Sequence, residues 1–244
     1  MSFPRLLGIG VGPGDPDLIT VKALRALESC DAVLVPSTEA SGDNAGRAET
    51  IILAACPEIA DKIVRVPFTM KDPTGVTTRR MTNWQTSAAV AVEKIQSGAT
   101  KIGFATIGDP SVYSTFSYLV ASVREQVDVE VEVIPGITAM QALAAASKTP
   151  LCEGDEVLAL VPLKKGIKQL IEVSKLADTC VVYKAGRHFA ALKQHLGEVG
   201  EDAVVGSNIG LPDEQISTVS KLDEAPYFTS VLWPPKRNEL GDRL

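Results

Sequence analysis

The sequence predicts an α/β fold in two α/β domains, a parallel-sheet N-terminal domain and a mixed-sheet C-terminal domain. Three observations predict it. Through the first half, short apolar runs alternate with helical patterns, as in a parallel sheet covered by helices on both faces. In the second half the last two strand-like runs follow each other with no helix between them, which points to antiparallel pairing. The length of 244 residues suits two modest domains.

Leu6–Val11, Ala32–Val35, Ile63–Val66, Ile102–Thr106 and Val129–Ile134 read as buried strands. Between the first two, Val21, Leu24 and Leu27 recur at helical spacing, with Thr20 placed to cap the helix. Ser87–Gln96 is an Ala-rich helix stopped by Gly98. Ile137–Ser147 is a further helix, broken by Lys148-Thr149-Pro150. Val157–Val161, Cys180–Tyr183 and Ala203–Val205 follow as strands, and then Thr218–Leu222 and Phe228–Leu232 around a turn at Asp223–Pro226. That last pair reads as a hairpin. The division falls between Pro135 and Pro150, giving domains 1–136 and 137–244. Ser37–Glu49 and Pro67–Asn83 lack periodicity, and loops of that length inside a compact domain are functional lids or disordered segments. The tail from Pro234 has little to bury.

Composition excludes several classes. A net charge of −6 argues against a nucleic-acid binder, although a local basic patch still accommodates an acidic small molecule. Cys30, Cys56, Cys152 and Cys180 show no CxxC spacing, so neither a metal site nor a disulfide framework is expected. No apolar run approaches the ~18 residues of a membrane span. The amino terminus lacks a signal-peptide pattern, and a soluble cytoplasmic protein is expected.

The chemistry-bearing motifs are three loops. Gly10-Val11-Gly12-Pro13-Gly14-Asp15, Gly108-Asp109-Pro110 and Pro135-Gly136-Ile137-Thr138-Ala139 each follow a predicted strand. In an open parallel sheet, ligands collect at the carboxyl ends of strands, where glycines allow the backbone close approach. Three such loops look like one composite site. A dinucleotide fingerprint does not fit: from Gly8 the third glycine of GxGxxG falls on Pro13, and from Gly10 on Asp15. Asp109 reads either as a turn former bonding its own backbone or as a site residue. Lys184 and Arg187 after the Cys180–Tyr183 strand read either as a solvated strand end or as an anion site. For Arg79 and Arg80, in a polar loop, solvent exposure is the default. Composition and spacing stop at an α/β protein with a glycine-lined site.

Together the motifs resemble the tetrapyrrole methylase family. The likeness covers nearly the whole chain: GVGPGDPDLITVKALRAL at Gly10–Leu27, TIGDPSVYSTFSYL at Thr106–Leu119, VIPGITAMQALAAA at Val133–Ala146, VVYKAGR at Val181–Arg187 and NIGLPDEQI at Asn208–Ile216. Pro36 stands where members that methylate uroporphyrinogen place an acidic residue, which weighs against that substrate. The resemblance implies an S-adenosylmethionine-dependent C-methyltransferase, a homodimer of two α/β domains with the cofactor in the cleft between them, acting on a tetrapyrrole. By matching position it implies cofactor contacts from Pro13, Gly108, Asp109, Val112, Tyr113, Ser114, Thr138, Ala139, Lys184 and Ile209. Pro13 and Asp15 line the substrate end in this reading, and Arg79, Arg80, Lys184 and Arg187 meet substrate carboxylates. Asp15, Asp109 and Tyr113 are the candidates for a base.

Overall fold

In the computed structural model, residues 3–37, 44–68, 77–226 and 228–236 are described. The chain divides after Thr138 into two units, each with its own five-stranded sheet.

The first sheet is built from β1 (Arg5–Gly10), β2 (Ala32–Ser37), β3 (Ile63–Pro67), β4 (Lys101–Thr106) and β5 (Glu130–Ile134). They run in the order β3-β2-β4-β1-β5, all parallel, with Leu6 level with Ile102 and Val131. Neighbouring residues on a strand point to opposite faces, and on the inner strands β1, β2 and β4 both faces are buried. Leu7, Ile9, Val33 and Val35 pack under α1 (Val21–Ser29) and α2 (Arg47–Ala55). Leu6, Leu34, Ile102 and Phe104 pack under α3 (Thr78–Gln96) and α4 (Phe116–Arg124). Continuous apolar strands are the sequence consequence of that two-sided burial.

Thr20 caps α1 by accepting from the Ala23 amide at 3.1 Å, as its position predicts. The buried face differs from the expected one: Ala23, Ala26 and Leu27 face the core, whereas Val21 is 60% exposed. Both aperiodic stretches are corrected in part. Arg47–Glu49 opens α2, and Thr78–Asn83 belongs to α3, which begins nine residues before Ser87. Arg79 and Arg80 are therefore helical, in the first turn after the Thr77 cap. The remaining parts of those stretches, 38–43 and 69–76, lie outside the described residues, as does the tail from 237.

The second sheet contains β6 (Leu158–Pro162), β7 (Thr179–Tyr183), β8 (Val204–Ser207), β9 (Gln215–Thr218) and β10 (Thr229–Trp233). Its order is β6-β7-β10-β8-β9; β6 and β7 are parallel, and the other pairs are antiparallel. The sheet is mixed, as expected, but the last two strands do not form a hairpin. Residues 219–221 are a 3-10 turn, β9 ends at Thr218, and β10 inserts between β7 and β8. Burial explains the exchange. Every residue of Thr229–Trp233 is buried, so this strand takes the centre, while the polar Gln215–Thr218 is left at the edge.

One face of this sheet carries α6 (Lys168–Val173) and α7 (Phe189–Glu198), whose Leu170, Phe189, Leu192 and Leu196 pack on Val182, Val205 and Val231. The other face meets α5 (Ala139–Ser147), where a Cβ on Gly206 would come within 2.6 Å of Leu143 Cδ1. Cys30, Cys56 and Cys180 are free and buried, and Cys152 is free and exposed. At the start of β7 the fully buried Thr179 hydroxyl has no hydrogen-bond partner among the described residues. An orphaned polar atom costs about 1–3 kcal/mol. Thr179→Val should therefore raise stability by about 1 kcal/mol, by the same principle, read as a higher denaturation midpoint at constant m value. An unchanged or lower midpoint would show that the hydroxyl is satisfied.

Candidate active site

Strands β4, β1 and β5 lie side by side and parallel, so their carboxyl ends emerge together. The three glycine loops are consequently neighbours, and their backbones interlock. The Gly108 amide donates to the Gly12 carbonyl at 2.7 Å, and the Val11 amide to the Thr106 carbonyl at 3.0 Å. A Cβ on Gly10 would fall 2.6 Å from both the Gly108 carbonyl oxygen and the Gly136 nitrogen. A Cβ on Gly136 would overlap that same Gly108 oxygen. Gly108 itself has open surroundings but a φ of +71°, a conformation that side chains disfavour. The glycines at Gly10 and Gly136 are needed for space, and the one at Gly108 for its backbone angle.

Asp109 binds the construction together. Its Oδ2 accepts from the Gly136 amide at 2.9 Å, and its Oδ1 from the Ser111 amide at 2.7 Å and from the Ser111 hydroxyl. Burial raises its pKa, but the Ser111 hydroxyl, the Gly136 amide and the Ser111 amide together outweigh that and hold the carboxyl below its ordinary range. Both sequence readings of this residue thus meet in one side chain: it caps its own turn, and it ties the β4 loop to the β5 loop.

The other candidates of the first unit surround this knot. Pro13 is buried, and the half-buried Asp15 caps a 3-10 turn by accepting from the Asp17 amide at 2.9 Å. The Val112 amide bonds to the Asp109 carbonyl at 3.1 Å, and the Ser114 hydroxyl accepts from the Phe116 amide as α4 begins. Tyr113 between them has a φ of +54° and a side chain 45% exposed, and partial burial pushes its phenol above the ordinary value. Thr138 is buried beyond Gly136. Arg79 and Arg80 stand on the first turn of α3.

In the second unit, β7 and β8 both run antiparallel to β10, so they end on the same side of their sheet. Lys184 and Asn208 follow those ends, with φ of 61° and 52°. The Met140 amide, next to Ala139 at the start of α5, donates to the Tyr183 hydroxyl at 3.3 Å, and Ile209 is buried against Gly206. Lys184, Ile209 and Ala139 are thus gathered at one end of that sheet, while Arg187 is exposed on the 3-10 turn that precedes α7. Among the described non-glycine residues only Tyr113, Lys148, Lys184 and Asn208 have positive φ. Three of the four fall in segments that carry the family resemblance, and strain of about 1–3 kcal/mol per residue concentrates at functional sites.

Sequence reasoning missed Ser111, the hydroxyl of Tyr183 and the left-handed Asn208. All three lie inside motifs it had quoted, so the signal was present without the geometry. Gly10 and Gly136 are expected from sequence to let the backbone approach a ligand, whereas in the structure they let the loops approach one another.

Two α/β units with glycine-lined loops at the carboxyl ends of parallel strands define a small-molecule-binding α/β protein of the strand-end type. The family model of Tetrapyrrole (Corrin/Porphyrin) Methylases matches residues 5–226, and the chain belongs to that family. It is 34% identical over 240 residues to a precorrin-2 C(20)-methyltransferase of Sinorhizobium sp, covering 94% of this chain and 95% of the relative. It is 32% identical over 230 residues to a probable cobalt-precorrin-2 C(20)-methyltransferase of Methanocaldococcus jannaschii, covering 91% and 90%. In fold it resembles uroporphyrin-III C-methyl transferase from Thermus thermophilus solved with S-adenosylhomocysteine, with a TM-score of 0.66 at 20% identity over 94% of this chain and 97% of that one. The protein is an S-adenosylmethionine-dependent methyltransferase. Side chains are excluded at Gly10 and Gly136 by the backbone of the neighbouring loops, so the three strand ends meet there as main chain alone. Among the described residues no helix is long and apolar enough to cross a membrane.

Proposed function

We propose that this protein transfers a methyl group to the C(20) meso carbon of precorrin-2, metal-free or as its cobalt form, in cobalamin biosynthesis. The observation that carries this reading is 34% identity over nearly the whole of both chains to a relative with that activity in its name. Val35-Pro36 and the GDPSVYSTFSYL segment support it as well, since Pro36 replaces the acidic residue of uroporphyrinogen-methylating members.

S-adenosylmethionine supplies a methyl already activated on a sulfonium, so the protein's own task is to bind, orient and exclude water. In this proposal Gly108, Asp109, Val112, Tyr113, Ser114 and Thr138 hold the cofactor; the candidates on the second unit are Ala139, Lys184 and Ile209. Pro13 and Asp15 line the substrate end. Asp109 acts by positioning: a carboxylate with three donors and a lowered pKa is a weak base. Tyr113, with its pKa raised by burial, stays protonated at neutrality and suits donation of a hydrogen bond. Asp15, although committed to its Asp17 cap, retains a second oxygen and is the remaining candidate to accept the meso proton. The working form in this proposal is a homodimer, which sedimentation velocity would test.

The test of the reaction is incubation with precorrin-2 or cobalt-precorrin-2 and a carbon-13-labelled methyl donor, followed by NMR of the product. A new methyl at C(20) is expected. A methyl at C(11) or C(17) would overturn the regiochemistry and leave the methyltransferase class standing.

Arg79 and Arg80 are proposed to meet the substrate's carboxylates. The Arg79→Ala, Arg80→Ala double variant should raise the tetrapyrrole KM roughly tenfold or more, the size of a charge-assisted contact. Its affinity for S-adenosylhomocysteine should be unchanged. Equal KM values for variant and parent would mean that neither arginine meets the substrate.

A further inference from the structure

The nineteen-residue helix α3 is two different objects along its length. Its second half carries the buried residues Ser87, Ala88, Ala91 and Val92 and lies on the sheet. Its first half, Thr78–Thr86, contains no buried residue. The Ser87 hydroxyl reaches the carbonyl of Pro67, the last residue of β3. The nine residues before Ser87 therefore run on past the carboxyl end of β3, by about 13 Å at 1.5 Å per residue. That is the edge at which the glycine loops emerge.

This projecting half is joined to α4 by an aromatic stack. The rings of Trp84 and Tyr118 lie 4.2 Å apart, centroid to centroid, and 9° from parallel. Tyr118 remains 46% exposed, so the pair is not a piece of core. The two anchors are informative. Trp84 follows Arg80 by four residues and shares its face of the helix. Tyr118 follows Ser114 by four residues, and its amide bonds to the Thr115 carbonyl at 3.1 Å. Phe116, at the start of the same turn, is seated over Gly8 of β1, where a Cβ would come within 2.5 Å of its ring. One ring is thus fixed to the loop that ends β4, and the other to the helical turn that carries the arginines.

We propose that the Trp84–Tyr118 stack is a positioning clasp that sets the Arg80 turn at a fixed distance from the Gly108–Ser114 loop. It thereby selects a tetrapyrrole whose carboxylates reach that turn while its reacting carbon faces the cofactor. The inference rests on the methyltransferase reading above. Neither ring touches the reacting atoms. Without the stack, the projecting half of α3 keeps its helix but loses its bearing on the loop.

Steady-state kinetics with cobalt-precorrin-2 and calorimetry with S-adenosylhomocysteine test the clasp. Trp84→Ala should raise the tetrapyrrole KM roughly three- to tenfold, the range an aromatic pair supplies. The kcat and the affinity for S-adenosylhomocysteine should stay at parent values, which also reports an intact first unit. Trp84→Phe should restore KM. Tyr118→Ala should raise KM to the same extent, with no further rise in the Trp84→Ala, Tyr118→Ala double variant, because one stack is lost in each. A parent-level KM in Trp84→Ala overturns the clasp, and so does a loss of S-adenosylhomocysteine affinity equal to the rise in KM. If the parent itself methylates no tetrapyrrole, the reading beneath the clasp fails, and that outcome is distinct from a parent that turns over beside a silent variant.

Discussion

Gly136→Ala should lower turnover by about 100-fold, the cost of displacing a binding loop by roughly 1 Å, and weaken S-adenosylhomocysteine binding with it. The added methyl group would overlap the Gly108 carbonyl oxygen and crowd Gly10 C and Cα, both at 2.9 Å. All three partners are backbone, so no side chain can swing aside, and the β4 and β5 loops must part. Gly108→Ala should be milder in origin. A Cβ there meets nothing closer than Thr138 Cα at 3.8 Å, and its cost is the backbone angle alone, about 1–3 kcal/mol for a side chain held at positive φ. Calorimetry on the two variants should rank them in that order while circular dichroism shows both folded. Parent-like affinity in Gly136→Ala would remove these loops from the cofactor site.

Asp109→Ala should be nearly as damaging and should reveal what the carboxylate does. Removing it strands the Gly136 and Ser111 amides and the Ser111 hydroxyl, at a cost of about 2–4 kcal/mol when charge-assisted bonds are lost together. As a loop tie, Asp109 should carry cofactor affinity and kcat down together. As a base it would leave affinity intact and remove an ionisation from the rate profile. The pH dependence follows from the direction of the shift. The folded pKa lies below the ordinary 3.8, so the stabilisation is complete above the unfolded value and disappears as pH falls through the folded one. Parent affinity should accordingly be flat from neutrality down to about pH 5, one unit above that range. Asp109→Asn should lose affinity at every pH in that window. An affinity that declines in the parent between pH 7 and 5 would point to a different titrating group.

How much of this was legible in the sequence depended on what each residue is used for. The inner strands β1, β2 and β4 were visible because burial on both faces leaves an unbroken apolar run, and a glycine shortly after the runs of β1, β4 and β5 marked their ends. The first half of α3 was not: TRRMTNWQT buries nothing, so no periodicity exists to be read, and only Thr77 hints at a helix start. The second sheet was misread at its end because Thr218–Leu222 and Phe228–Leu232 are adjacent in sequence, while burial sends the apolar strand to the centre. Within the site, the loops were legible and their joints were not. Asp109 and Gly136 lie 27 residues apart, and no local pattern announces their bond. Likewise, no spacing tells that Gly10 and Gly136 share one crowded point above the sheet.

The central place of β10 has a consequence for how the protein is made. β10 is the last described strand to leave the ribosome, yet β7 and β8 meet only through it. Until it arrives, the second unit is two separate fragments, β6 with β7 and β8 with β9, each exposing a bare edge. The ends of β7 and β8, and with them Lys184 and Asn208, have no common frame before that moment. A chain stopped before β10 lacks the strand that joins the two halves of the second sheet, and the facing edges of β7 and β8 are left unpaired.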